Sequence, residues 1–191
     1  MAEEKQSMSR RIIYSGWDFQ QALSALTFLL EECDFDEKYN RIQWRKFRCY
    51  ETNLVVSFAR PFKVGRGREM LNLKEVGFEF TELENKLKKK IIHLRDKVVS
   101  HSDEEAMVFK VSSFKPFEDK EIRMPLEEFS ETLHFSEEEY IEIQKLLRRI
   151  TRVIAEYKFD YAQNNPDGFS ELKVSTPNNS SKKDAASGVS S

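Results

Sequence analysis

Apolar residues recur along this chain at intervals of three and four in four long stretches, the spacing that lines one face of a helix. The first stretch predicts a helix beginning near Ser15-Gly16, with Ala22, Leu23, Leu26, Leu29, Leu30 and Cys33 on its buried face. An acidic break at Asp34 to Asp36 separates it from a second helix running to about Arg60, striped by Phe47, Tyr50, Leu54 and Phe58. Pro61 ends that helix, because proline lacks an amide hydrogen and restricts the residue before it. A basic loop, Lys63 to Arg68, follows. The third helix opens at Thr81, where Thr81 and Glu84 have the spacing of a capping box. Its stripe is Leu83, Leu87, Ile91, Leu94 and Val98.

The pattern then changes. Met107 to Val111 and Glu121 to Met124 read as two short strands around a turn holding Pro116 and Asp119. A second capping box, Ser136 and Glu139, begins the last helix. Its seam of Tyr140, Ile143, Leu147, Ile150, Ile154, Tyr157 and Tyr161 alternates steps of three and four, as in a coiled coil. That seam suits packing within a bundle or against a second copy of the chain. From Asn164 the composition turns polar, with too little apolar surface to offset the entropy of ordering. The expected fold is therefore all-α, a bundle of four to five helices over residues 1–163 with a small β-hairpin before the last helix. Residues 164–191 are expected to form a disordered tail.

Composition narrows the classes. The 191 residues are 39% hydrophobic with 15 Phe, enough for one core, and 34% charged, as long solvated helix faces require. A net charge of −2 argues against a protein that coats nucleic acid indiscriminately, but leaves room for a local basic site. Two cysteines, Cys33 and Cys49, without metal-ligand spacing point to a reducing compartment and to core positions for both. Met1 to Ile13 holds no apolar stretch of the signal-peptide kind, and no run is long enough to span a membrane. A cytoplasmic, soluble protein is expected. Three histidines without paired ligands give no metal site, and there is no phosphate loop or dinucleotide fingerprint, so no cofactor is expected.

The chemistry concentrates in Leu94-Arg95-Asp96-Lys97-Val98-Val99-Ser100-His101-Ser102-Asp103. Arg95 can hold two phosphate oxygens by forked hydrogen bonds, and His101 can take or give a proton near neutral pH. Asp96 could orient either of them. From Lys86 to Lys97 six cations face one carboxylate, Asp96. Lys89, Lys90 and Lys97 could therefore attract RNA phosphates, with Arg60, Lys63, Arg66 and Arg68 as a second contact. The ordinary alternative is a solvated lysine face, with arginine and histidine serving the helix C-terminus. His93 reads as a surface residue, His134 as serving the first turn of the last helix, and Trp17 and Trp44 as core. On a straight helix, at roughly 100° per residue, Arg95 and His101 stand about 120° apart, which favours a site built from two chains or a helix that breaks before His101.

An arginine followed by a polar residue and, five residues later, a histidine at the end of a bundle helix resembles the motif of HEPN domains, in the abortive-infection, phage-defence branch. Ser57-Phe58-Ala59-Arg60-Pro61-Phe62, followed by Arg66-Gly67-Arg68, is similar to these proteins too. The resemblance covers roughly residues 10 to 163. It implies an all-α bundle, often a homodimer whose two motifs meet at the two-fold axis. It also implies metal-independent endoribonuclease activity in many members, with Arg95, His101 and Asp96 as catalytic residues, and a small antitoxin or nucleotidyltransferase as partner. The competing expectation is a noncatalytic module of the same fold that binds a nucleotide or protein. A third is a structural accessory protein assembled through the last seam.

Overall fold

The computed structural model describes residues 10–64, 70–99, 109–118, 121–130 and 132–165. Four helices, α1 (Arg10–Glu32), α2 (Arg41–Ala59), α3 (Glu82–Leu94) and α4 (Glu137–Asn164), form the body. One antiparallel pair, β1 (Phe109–Phe114) and β2 (Met124–Phe129), lies between α3 and α4 in the chain. The bundle with a hairpin is thus the observed architecture. No described helix is long and apolar enough to cross a membrane.

Local chemistry sets the helix starts. Thr81 and Ser136 each accept the backbone N–H three residues on, and Glu84 and Glu139 reach back to the cap, so both expected capping boxes form. Asn40 and Gln43 make a third at the start of α2. Gly77, at φ 75°, closes the short 3₁₀ turn Leu73–Val76 in a backbone region that favours glycine.

The centre of the core is α1, which packs on α2 and on α4. Phe19, Ala22, Leu26 and Leu29 of α1 are sealed from solvent, as are Leu54, Val55 and Phe58 of α2. On α4, Tyr140, Ile143, Leu147, Ile150 and Ile154 are equally buried. Most of the last seam is therefore consumed inside one chain and needs no second copy to cover it. Leu87, Ile91 and Leu94 of α3 are buried too, whereas Leu83 lies outside the core at 53% exposure.

Several expectations need correcting. The first helix already includes Arg10 rather than starting near Ser15, because Ile12, Ser15 and Gly16 face the bundle. Trp17, expected in the core, is 62% exposed, and Trp44 is only partly buried against it. Cys33 is buried as expected, but Cys49 is exposed, being on the outer face of α2. The strands run three to five residues beyond the expected stops: β1 reaches Phe114, and β2 begins at Met124 and carries Pro125. Proline is tolerated where its missing donor faces away from the partner strand. Met107 and the tail 166–191 lie outside the described residues.

Candidate functional site

The α-helical winding of α3 ends at Leu94, and Arg95–Val99 continues as a π-helical turn. The straight-helix angle between Arg95 and His101 therefore does not apply. Such widened turns are rare and recur at functional sites. The Arg95 amide is shared between the carbonyls of Ile91 and Ile92, as is common at the end of an α-helix.

At this turn two cations share one carboxylate. Arg95 Nη1 donates to Asp96 Oδ1 at 2.9 Å, and Lys63 Nζ donates to Asp96 Oδ2. Lys63 is brought there by the 3₁₀ turn Arg60–Phe62 that follows α2, where Pro61 stands at the start of the turn. The Pro61 carbonyl accepts from Leu71 N at 2.8 Å, fixing the far end of the loop. Each of the three side chains keeps about a third of its surface in water. Partial burial alone would raise Asp96, but the hydrogen bonds from Lys63 and Arg95 outweigh it and hold the carboxyl below its ordinary range. The cluster keeps a surplus positive charge on a half-open surface, an arrangement that attracts an anion.

The other sequence candidates disperse. Arg60 lies 3.4 Å from Asp18 Oδ1, and its carbonyl accepts from Arg11 Nη2 at 2.7 Å. Lys90 turns toward α4, donating to Glu139 at 2.6 Å and sitting 4.8 Å from the Phe135 ring centre. Lys89 and Lys97 are exposed, as is His93. His101 and Arg66 lie outside the described residues. The structure thus joins Arg95 to Asp96 and adds Lys63, which the sequence grouped with Arg60, Arg66 and Arg68 as a second phosphate contact.

Two further clusters were missed. Glu51 of α2, almost fully buried, accepts from His134 N at 2.7 Å, His134 Nδ1 at 2.8 Å and the Tyr140 hydroxyl at 2.5 Å. Arg48 donates to the Thr132 carbonyl at 2.9 Å, and its Nη1 lies 2.8 Å from His134 Nδ1 and 3.2 Å from Nε2. A carboxylate only accepts, so the hydrogen between His134 Nδ1 and Glu51 belongs to the ring nitrogen. His134 therefore ties the approach to α4 onto α2 instead of capping α4. Glu51 sits in the buried stripe of α2, where a sequence reader expects a leucine.

The second missed feature is a cleft of about 370 Å³ between the Leu73–Val76 turn and α3. Phe62, Leu71, Leu73 and Phe78 supply its buried apolar lining, with Asn72 and Asn85 at the rim. Lys88 reaches into it, its ammonium 4.2 Å from the ring centre of Phe62 and 4.5 Å from that of Phe80. Burial holds the Lys88 amine below the usual lysine range. Among the described residues no three His, Cys, Asp or Glu side chains gather as a metal site would require. No family model, curated protein or solved structure matches the chain.

Proposed function

We propose that this chain is a HEPN-type endoribonuclease that cleaves RNA without a metal. The observation that carries the reading is the Arg95–Asp96–Lys63 cluster on the π-helical turn at the end of a bundle helix. RNA brings its own nucleophile, the 2′-hydroxyl, so the protein has only to move protons and to stabilise charge at phosphorus. His101 would take the 2′-hydroxyl proton as that oxygen bonds to phosphorus. The bond from phosphorus to the 5′-oxygen breaks, and the leaving oxygen takes a proton from water, which the protonated His101 then restores. The products are a 2′,3′-cyclic phosphate and a 5′-hydroxyl. Arg95 would hold the non-bridging oxygens as their charge rises, while Asp96 fixes the guanidinium and Lys63 adds to the field.

The resemblance further suggests a homodimer with both Arg95–His101 pairs near the two-fold axis, action in phage defence or a toxin–antitoxin pair, and an antitoxin or nucleotidyltransferase partner. A noncatalytic binding module is the second reading. It draws on the same cluster, since Asp96 already engages Arg95 and leaves a surplus charge that would hold an anion without transforming it.

Incubating the purified chain with a mixed RNA pool in excess EDTA decides between them. Cyclic-phosphate products, lost by about 10²-fold or more in both His101→Ala and Arg95→Ala, support the nuclease. His93→Ala serves as the control and should cut like wild type. Intact RNA, or His101→Ala cutting as well as wild type, ends the nuclease reading.

A further inference from the structure

Among the described residues no carboxylate pairs with the half-buried ammonium of Lys88; Glu79, which also lines the cleft, faces Lys74 instead. Its neighbours in charge are already matched: Lys74 lies 3.9 Å from Glu79, and Glu84 binds Arg149. The contacts of Lys88 among the described residues are the faces of Phe62 and Phe80. A leucine there would pack against the same rings without the cost of desolvating a charge. The cleft thus carries an unmatched positive charge over an apolar floor, and its volume suits a small molecule. The Asn85 amide, exposed at the rim one turn before Lys88, has no hydrogen-bond partner among the described residues and can meet a donor or an acceptor.

Position links the cleft to the Arg95 cluster. Lys88 and Arg95 are seven residues apart, about two helical turns, so they share a face roughly 10 Å apart along the axis. The link is also covalent on the other wall. Phe62, which carries Lys88 on its ring, directly precedes Lys63, which holds Asp96.

We propose that the Lys88 cleft is a subsite for one nucleoside monophosphate unit, with Lys88 on the phosphate and Asn85 on the base or sugar, an assignment that rests on the RNA reading of the Arg95 cluster. The phosphate supplies the counter-charge the ammonium lacks. The apolar floor takes the flat face or edge of the base, as sequence-tolerant contacts to single strands do.

The test is calorimetric titration of the full chain with adenosine 5′-monophosphate and with a 2′-O-methyl RNA trinucleotide that cannot be cut. Wild type should bind both. Lys88→Gln should weaken both at least tenfold, and Asn85→Asp, a rim change that leaves the core untouched, should do likewise, by losing the amide's bond to the base or sugar and by setting a carboxylate one turn from Lys88 to compete for its ammonium. A trinucleotide that binds about tenfold tighter than the mononucleotide, with the gain lost in Arg95→Gln, supports the site as part of an RNA path. Equal affinities, indifferent to Arg95→Gln, support it as a site for free nucleotide. No binding of either probe, or binding unchanged in both Lys88→Gln and Asn85→Asp, overturns the proposal. The two readings fail separately: a chain that cuts RNA but ignores both probes loses the cleft, and one that binds them through Lys88 but cuts nothing loses the nuclease.

Discussion

The Tyr140 hydroxyl donates a hydrogen bond of 2.5 Å to the Glu51 carboxylate, joining the first turn of α4 to the middle of α2 inside the core. Removing the carboxylate strands a tyrosine hydroxyl, the His134 ring and the His134 amide together. Glu51→Ala should therefore cost about 3 kcal/mol, in the range for breaking a buried charged network. Tyr140→Phe removes one bond and should cost about 1 kcal/mol. Urea unfolding of the two variants measures the difference. A Glu51→Ala penalty no larger than that of Tyr140→Phe would mean that His134 finds other partners.

The same network gives stability a defined response to acid. Burial by itself would raise the Glu51 carboxyl. Hydrogen bonds from the His134 ring, the Tyr140 hydroxyl and the His134 amide more than offset that, so the folded value lies below the ordinary one. The unfolded chain then binds the proton more readily than the folded one. The contribution is complete above the unfolded value of about 4.3 and is lost as pH falls through the folded value. The stability gap between wild type and Glu51→Gln should be widest at neutral pH and should narrow as the pH falls below about 4. A gap that stays constant down to pH 3 would contradict the assigned direction.

Helix positions were legible in the sequence because caps and stripes are local. Thr81 with Glu84 and Ser136 with Glu139 announce themselves three residues apart, and Leu54, Ile91 and Ile150 fall on the stripes that are buried. What periodicity could not tell is which apolar face the bundle fills first. Trp17 lies on the exposed side of α1, while Ser15 and Gly16 beside it are buried and Gly16 takes the close approach to α4. The site was legible in part. Arg95 and Asp96 are neighbours in sequence, but Lys63 reaches Asp96 across 33 residues and Glu51 reaches His134 across 83, and spacing carries no trace of such contacts. Lys88 was hidden among the lysines of α3. Only its placement over Phe62 and Phe80 sets it apart from Lys86 and Lys89.

Burial of the α4 seam within one chain separates core stability from assembly. Ile150→Ala should cost about 3 kcal/mol, as for other fully enclosed aliphatic side chains. Trp17→Ala, on the exposed face, should change stability by less than about 0.5 kcal/mol. Sedimentation of both variants tells whether either face holds two copies together. A Trp17→Ala chain that turns monomeric while wild type is dimeric would place the interface on the outer face of α1. A dimer lost in Ile150→Ala while the fold persists would instead return the interface to the seam.

Gly16 lies where α1 runs close against α4. A Cβ there would stand 2.7 Å from Lys158 Nζ and 3.3 Å from Ile154 Cγ2. The lysine head can swing aside, which also returns to water an amine whose burial lowers it below the usual lysine range. Ile154, sealed in the core, can yield only a few tenths of an ångström. Alanine gains about 1 kcal/mol of helix propensity over glycine, so Gly16→Ala should come out within about 0.5 kcal/mol of wild type. Gly16→Val adds methyl groups that press on Ile154 and should cost about 2 kcal/mol. Combining Gly16→Val with Lys158→Ala relieves only the flexible contact and should recover a small part of that loss in a double-mutant cycle. Full recovery would show that Lys158, rather than Ile154, sets the limit on how closely the two helices pack.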